Sequence, residues 1–463
     1  MSVGCGSTRR MPWFGLRFSG SIAVSCVVFF GLLACHAEPS GSRPSRNAAE
    51  PNETYPMRWV TYSRQPMGDR QAAIERMLEK DARGFWADCA ALTRQIDDWP
   101  MIRLLSEKAA ASRSADALPW LVRSWAMPSK LVTDDDRPER AAIESITGKP
   151  ADHLLEIIVF AGMEEDEPAT QIAAWSVLVR TESHERLRHL IAEVPEQGQH
   201  LLVSALKRVA PAVDVLPSDR LAIAQMMRLS VAHADPQWQA WARWRQSHLD
   251  DGPATLALRH LPALEHRDPQ RADWMRQRWL THIEHRLVGR RHATRGDGAD
   301  DDIVVKLRPD RLADHAEALG VADLIVLEQL LDAMDDPVFR AVAFEQAEAD
   351  RLDTTTEFGG ALVWGEQGKL VLKPFTPLMR RHDQAYIAST PCLEAVYMGL
   401  AHVHFHTQRF DNAAWAGPGK GDLDFVESHH VNAIVFTYLD RNTLNLDVAL
   451  PGGIIIDMGC VTR

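Results

Sequence analysis

The residue types best suited to chemistry lie in the last quarter of the chain. Three histidines alternate in His402-Val-His404-Phe-His406. Successive side chains of a β-strand point to opposite faces, so as a strand this segment places all three on one face. Two imidazoles at i and i+2 can share one metal ion, each through a ring nitrogen at about 2.0–2.1 Å. Downstream, Asp422 follows the glycine-rich run Gly417-Pro-Gly-Lys-Gly421, a turn whose backbone can approach closely. Its carboxylate is a candidate third ligand. Three protein ligands with the fourth position open mark a catalytic rather than a structural zinc. Upstream, Glu357 stands just before Gly359 and Gly360. A carboxylate beside the metal, not on it, is a candidate general base. Taken alone, the histidine triplet also fits a solvated strand face or an adventitious metal site. The order Glu, His-x-His, Asp favours catalysis.

That order resembles the JAMM/MPN family of zinc metalloproteases, over about residues 350–460. Glu357-Phe-Gly-Gly-Ala-Leu is similar to the family's glutamate strand, His404-Phe-His406 to its His-x-His, and Gly419-Lys-Gly-Asp422 to its Ser-x-x-Asp. The resemblance implies one Zn2+ held by His404, His406 and Asp422, with Glu357 as general base of an amide or isopeptide hydrolase. It implies a small α/β domain of the cytidine-deaminase-like kind. His402 is then an alternate ligand or a neighbour of the ligands. Fifteen residues separate His406 from Asp422, a longer loop than the family's. Gly419 also replaces the family's serine, which helps stabilise the oxyanion. Losing one such donor costs on the order of 10²–10³ in rate, unless backbone N–H at Gly419 or its turn takes over. A catalytically impaired zinc-binding protein is therefore the alternative, and a structural protein without metal is a third.

The elements that must position these residues follow from periodicity. Short β-type runs at residues 361–364, 370–372, 403–406, 433–438 and 454–456 are separated by Gly-, Asn- and Pro-rich turns. One helix is expected near residues 393–400. Before them, residues 67–350 repeat apolar positions at three and four, with breaks at proline and glycine. The fold expected is multidomain: an all-α middle, either a HEAT-like solenoid or an irregular bundle, then an α/β domain at 351–463. A helical scaffold of this kind offers an extended surface to a protein partner. Single histidines in the middle, such as His184 and His233, lack ligand spacing. The acidic stretch 297–302 lacks the alternation and closing glutamate of a calcium loop.

The first residues read as an address. Arg9, Arg10 and Arg17 precede the apolar stretch 21–34, too short to span a bilayer. Leu32-Leu33-Ala34-Cys35 resembles the bacterial lipobox, with Cys35 as lipid acceptor; ordinary secretory cleavage is the alternative. Residues 1–34 are then a signal peptide and 35–66 a tether rich in Pro, Ser and Asn. These features predict a cell-envelope location, periplasmic or at the surface, with membrane contact through the lipid alone. A formal net charge of −12 argues against a nucleic-acid partner, because phosphate contacts need excess Lys and Arg. A peptide or protein substrate is expected. Of six cysteines, Cys89, Cys392 and Cys460 lie beyond the address, and Cys392 with Cys460 is the only pair inside one expected domain.

Overall fold

The computed structural model describes residues 56–129, 132–161, 168–195, 201–248, 256–293, 310–366, 368–380 and 385–463. Cys35, the signal stretch, most of the tether, the acidic stretch 297–302 and Asp383 lie outside them. From Arg58 to Leu352 the described residues form helices and no strand. The helices are amphipathic and pack through large aromatic side chains. Trp86, Trp120, Trp125, Trp175 and Trp241 are among the largest fully buried residues. Each such side chain contributes roughly 1.5–3 kcal/mol or more of apolar burial. Five of the chain's 14 tryptophans are thus fully buried in the helical core. Among the described residues, no helix is long and apolar enough to cross a membrane.

After Leu352 the pattern changes to a six-stranded mixed sheet. Its strands are β1 (Gly359–Trp364), β2 (Leu370–Phe375), β3 (Ala401–His406), β4 (Ala433–Asp440), β5 (Thr443–Leu450) and β6 (Ile454–Thr462). Their order is β2-β1-β3-β4-β5-β6. Only β3 and β4 run parallel, so only this pair needs a long crossover. That crossover carries the helix Lys420–His429. β1 pairs antiparallel with both β2 and β3.

Helices cover both faces of the sheet. Behind it lie Val321–Asp335 and Pro337–Leu352, the last helices of the all-α pattern. There Phe405 stacks on Phe436 at 5.2 Å, and Phe339 meets Phe436 at 6.1 Å. The opposite face carries His402, His404 and His406. Near its two ends lie the helices Thr390–Met398 and Lys420–His429. The helix Arg220–Ala232 of the all-α region meets this side: Arg228 pairs with Glu394 at 3.1 Å, and Gln225 donates to the Tyr397 carbonyl at 3.3 Å. Residues 51–463 make one compact unit.

Three local expectations change. β5 is a full strand: in TLNLDVAL the apolar Leu444, Leu446, Val448 and Leu450 alternate with Thr443, Asn445, Asp447 and Ala449, and both sets are buried. The helix expected near 393–400 spans Thr390–Met398 and stops before Gly399, whose Cβ would press on the Leu362 carbonyl. Cys392 and Cys460 are both free. Cys392 packs with Ala361, Val396, Tyr397 and Val431, while the Cys460 thiol reaches Asn445 Oδ1 at 3.4 Å.

Candidate metal centre

The site is assembled at one end of β3. His404 and His406 point from the same face of β3, as alternation requires. His404 is 2% exposed. His406 donates through Nδ1 to the Trp415 carbonyl at 3.0 Å, which leaves Nε2 with its lone pair towards the cleft. Such a backbone partner commonly fixes the tautomer of a ligating imidazole.

Asp422 lies in the first turn of the helix Lys420–His429. The positive end of the helix favours a carboxylate there. Its Oδ1 is 3.1 Å from His404 Nε2, and its Oδ2 is 3.8 Å from His406 Nε2. Oδ2 also accepts the Gly419 N–H at 2.7 Å. That N–H, considered above for an oxyanion, therefore orients Asp422 in this structure.

Glu357 occupies the junction between the helix Pro337–Leu352 and β1 and is 6% exposed. One ligand atom each from Glu357, His404 and His406 lie within 4.8 Å of one another. Gln408 donates to Glu357 Oε1 at 3.3 Å. Asp350, at the end of the preceding helix and fully buried, ties the site together. Its carboxylate accepts the Phe358 N–H at 2.6 Å and the Thr407 hydroxyl at 2.6 Å. One side chain thus anchors the residue after Glu357 and the residue after His406. Gly359 sits under the Tyr386 ring, where a Cβ would be only 2.7 Å from ring carbons; Gly360 approaches the Lys373 carbonyl too closely for any side chain.

Electrostatics follow from this arrangement. Burial opposes a charge on His404, but the Asp422 carboxylate, with smaller help from Glu357 and Asp350, outweighs it and lifts His404 to about 9. Burial would raise Asp422, yet His404 and His406 together with the Gly419 N–H hold it below the usual carboxylate range. Burial, reinforced by His404, lowers His406 and brings His402 down to about 3.

The donor set suits a divalent metal. His404 is buried, its Nδ1 has no hydrogen-bond partner, and its Nε2 faces the Asp422 carboxylate. Two imidazoles and a carboxylate converge as zinc ligands do, with a second carboxylate beside them. They line a cleft of about 830 Å³ whose mouth holds Arg409, Trp415 and Lys420.

The predicted residues Glu357, His404, His406 and Asp422 are thus brought together. His402 shares their face and cleft, its ring 5.6 Å from that of His404, but, like Asp422, it is not in the group Glu357, His404 and His406, and unlike Asp422 it has no ion-pair contact with His404 or His406. His429 is half-buried between Phe425 and Tyr397, and His430 pairs with Asp219 at 2.7 Å. Ser389 occupies the N-cap position of the helix Thr390–Met398 without a side-chain capping hydrogen bond. Asp350, Gln408 and Asn412, whose amide donates to the His406 carbonyl at 2.9 Å, carry no motif. Only the proximity of Gln408 and Asn412 to the His-x-His pattern could have drawn attention to them. No family model, curated protein or solved structure matches the chain.

Proposed function

We propose that the cleft is a zinc-dependent amide hydrolase site acting on a peptide or isopeptide bond. The observation that carries it is the convergence of Glu357, His404 and His406 within 4.8 Å, with Asp422 3.1 Å from His404. His404, His406 and Asp422 would hold the ion. When bound, zinc supplies Lewis acidity that polarises a scissile carbonyl and acidifies water. Glu357 would serve as the general base, taking a proton from the nucleophile and returning it to the leaving amine. Gln408 fixes one of its oxygens, and Asp350 fixes the backbone beside it. Gly419 sets the Asp422 carboxylate through its N–H. The JAMM/MPN-like order of these residues supports the same reading. With the lipobox-like Cys35, the chain reads as a lipid-anchored envelope protein. Labelled palmitate incorporated by the wild type and not by Cys35→Ser checks that part.

The test of function compares wild type with Glu357→Gln on a peptide library. The variant is expected to keep its zinc and lose about 10²–10⁴ in turnover, the usual contribution of a general base. Equal activity contradicts the mechanism. Loss of zinc makes Glu357 a ligand instead.

A second reading, a zinc domain with impaired catalysis, is favoured by Gly419, which has no hydroxyl and whose N–H is engaged. Its φ of −80° suits serine, and a Cβ there would sit 3.5 Å from Asp422 Oδ2, an ordinary contact. Under the second reading Gly419→Ser raises turnover by about 10²–10³. An unchanged rate means that other groups already serve the oxyanion.

A further inference from the structure

One polar side chain in the cleft has no role in that scheme. His402, two residues before His404 on β3, is 5% exposed, and neither of its ring nitrogens has a hydrogen-bond partner. A buried donor and acceptor left unmet are destabilising unless something else satisfies them. The imidazole lines the cleft. Its ring lies 4.7 Å from that of Phe425 and 5.5 Å from that of Tyr386. Its neighbours in register are Ala361 on β1 and Ala433 on β4. Neither alanine side chain offers it a polar atom from the shared face. A polar group sits unsatisfied on the cleft wall, flanked by flat apolar rings.

We propose that His402 is a substrate-recognition residue that hydrogen-bonds an amide group of the substrate next to the metal centre. The proposal rests on the metal-centre reading above and adds a substrate feature to it. An amide offers both a donor and an acceptor, as an imidazole does. It is flat, and can pack against the rings of Phe425 and Tyr386 that flank His402. It carries no charge that these walls would have to bury. The amide is either a backbone peptide group one residue from the scissile bond or a side-chain carboxamide.

The test uses the full chain loaded with zinc and three zinc-chelating probes. Acetohydroxamic acid has no further amide. N-acetylglycine hydroxamic acid adds a backbone amide. 3-Carbamoylpropionohydroxamic acid adds a carboxamide on a short arm. Calorimetry measures each probe on wild type, His402→Leu and His402→Gln, with zinc content determined in parallel. All three proteins should hold zinc and bind acetohydroxamic acid alike. At least one amide-bearing probe should bind wild type about tenfold tighter than acetohydroxamic acid, and that probe identifies the amide's source. The advantage should vanish in His402→Leu and return in part in His402→Gln. An advantage that persists in His402→Leu, or is absent from wild type, overturns the proposal while leaving the metal centre standing. Zinc lost from a folded His402→Leu also overturns it, by making His402 a ligand. A wild type without zinc overturns the metal-centre reading and this proposal together. If leucine prevents folding, His402→Met carries the same comparison.

Discussion

Four histidines are buried among the described residues, two in the helical region and two on β3. They are treated in opposite ways. His260 is fully buried, yet both its ring nitrogens are engaged. Nδ1 accepts the Ala257 N–H at 3.0 Å, and Nε2 meets Asp323 Oδ1 at 2.8 Å. His248 places Nδ1 2.9 Å from the Trp244 carbonyl. By contrast, His402 has no partner on either nitrogen, and His404 has none on Nδ1, its Nε2 facing only Asp422 Oδ1 at 3.1 Å. A fold that buries imidazole for structure satisfies it, because an unmet buried group costs about 1–3 kcal/mol. Leaving ring nitrogens of two adjacent histidines without a structural partner, next to Asp422 and Glu357, is what a ligand site requires and a core does not.

Variants can break or sharpen this contrast. The largest effect is expected in the helical region. Asp323→Ala removes the carboxylate that Arg259 and His260 share at 2.7 and 2.8 Å. Stranding buried charge of this kind typically costs about 3–5 kcal/mol, to be read in denaturant unfolding. A near-neutral result would mean that the helical cluster is no better settled than β3. Asp350→Asn comes next. It weakens the acceptors of the Phe358 N–H and the Thr407 hydroxyl, at a cost of about 1–3 kcal/mol. Because these bonds hold Glu357 and His406, kcat should fall more than stability alone explains.

The third effect concerns pH. In the metal-free chain His404 is raised to about 9 by Asp422. A raised imidazole stabilises the fold in its charged form. That contribution is complete below the unfolded value near 6.5 and is lost as pH climbs through about 9. A metal must displace that proton, so zinc affinity should rise about tenfold per pH unit between 7 and 9. Competition titrations with a chelator at several pH values measure the slope. A flat profile would mean that His404 is already neutral. The smallest effect should have the opposite sign to the first. His402→Leu removes two unmet polar atoms and should stabilise the metal-free chain by about 1 kcal/mol, seen as a higher Tm. His260→Leu should lower it.

Much of this centre was legible in the sequence because its logic is local. Alternation alone places His402, His404 and His406 on one face. The glycine run before Asp422 marks a turn into a helix, and Glu357 falls between a helical pattern and a β-type run. Periodicity likewise identified the helical region. What escaped is what long-range packing decides. The alternation of Leu444, Leu446 and Val448 with Thr443, Asn445 and Asp447 in β5 is legible as a strand, but not that packing buries its polar face as well. Asp350 looks like an ordinary helix-end carboxylate until Phe358 and Thr407 converge on it. The partner of His406 is a backbone carbonyl at Trp415, which no side-chain pattern encodes. The bonding state of Cys392 and Cys460 likewise depended on which elements pack around each, and spacing is silent on that.

The most direct test of the metal centre is native mass spectrometry of the full chain after exposure to zinc and removal of excess ion. The account predicts one zinc per wild-type chain and none for a folded His404→Ala/His406→Ala double variant. A wild type that retains no zinc, or a double variant that still carries it, would contradict the account.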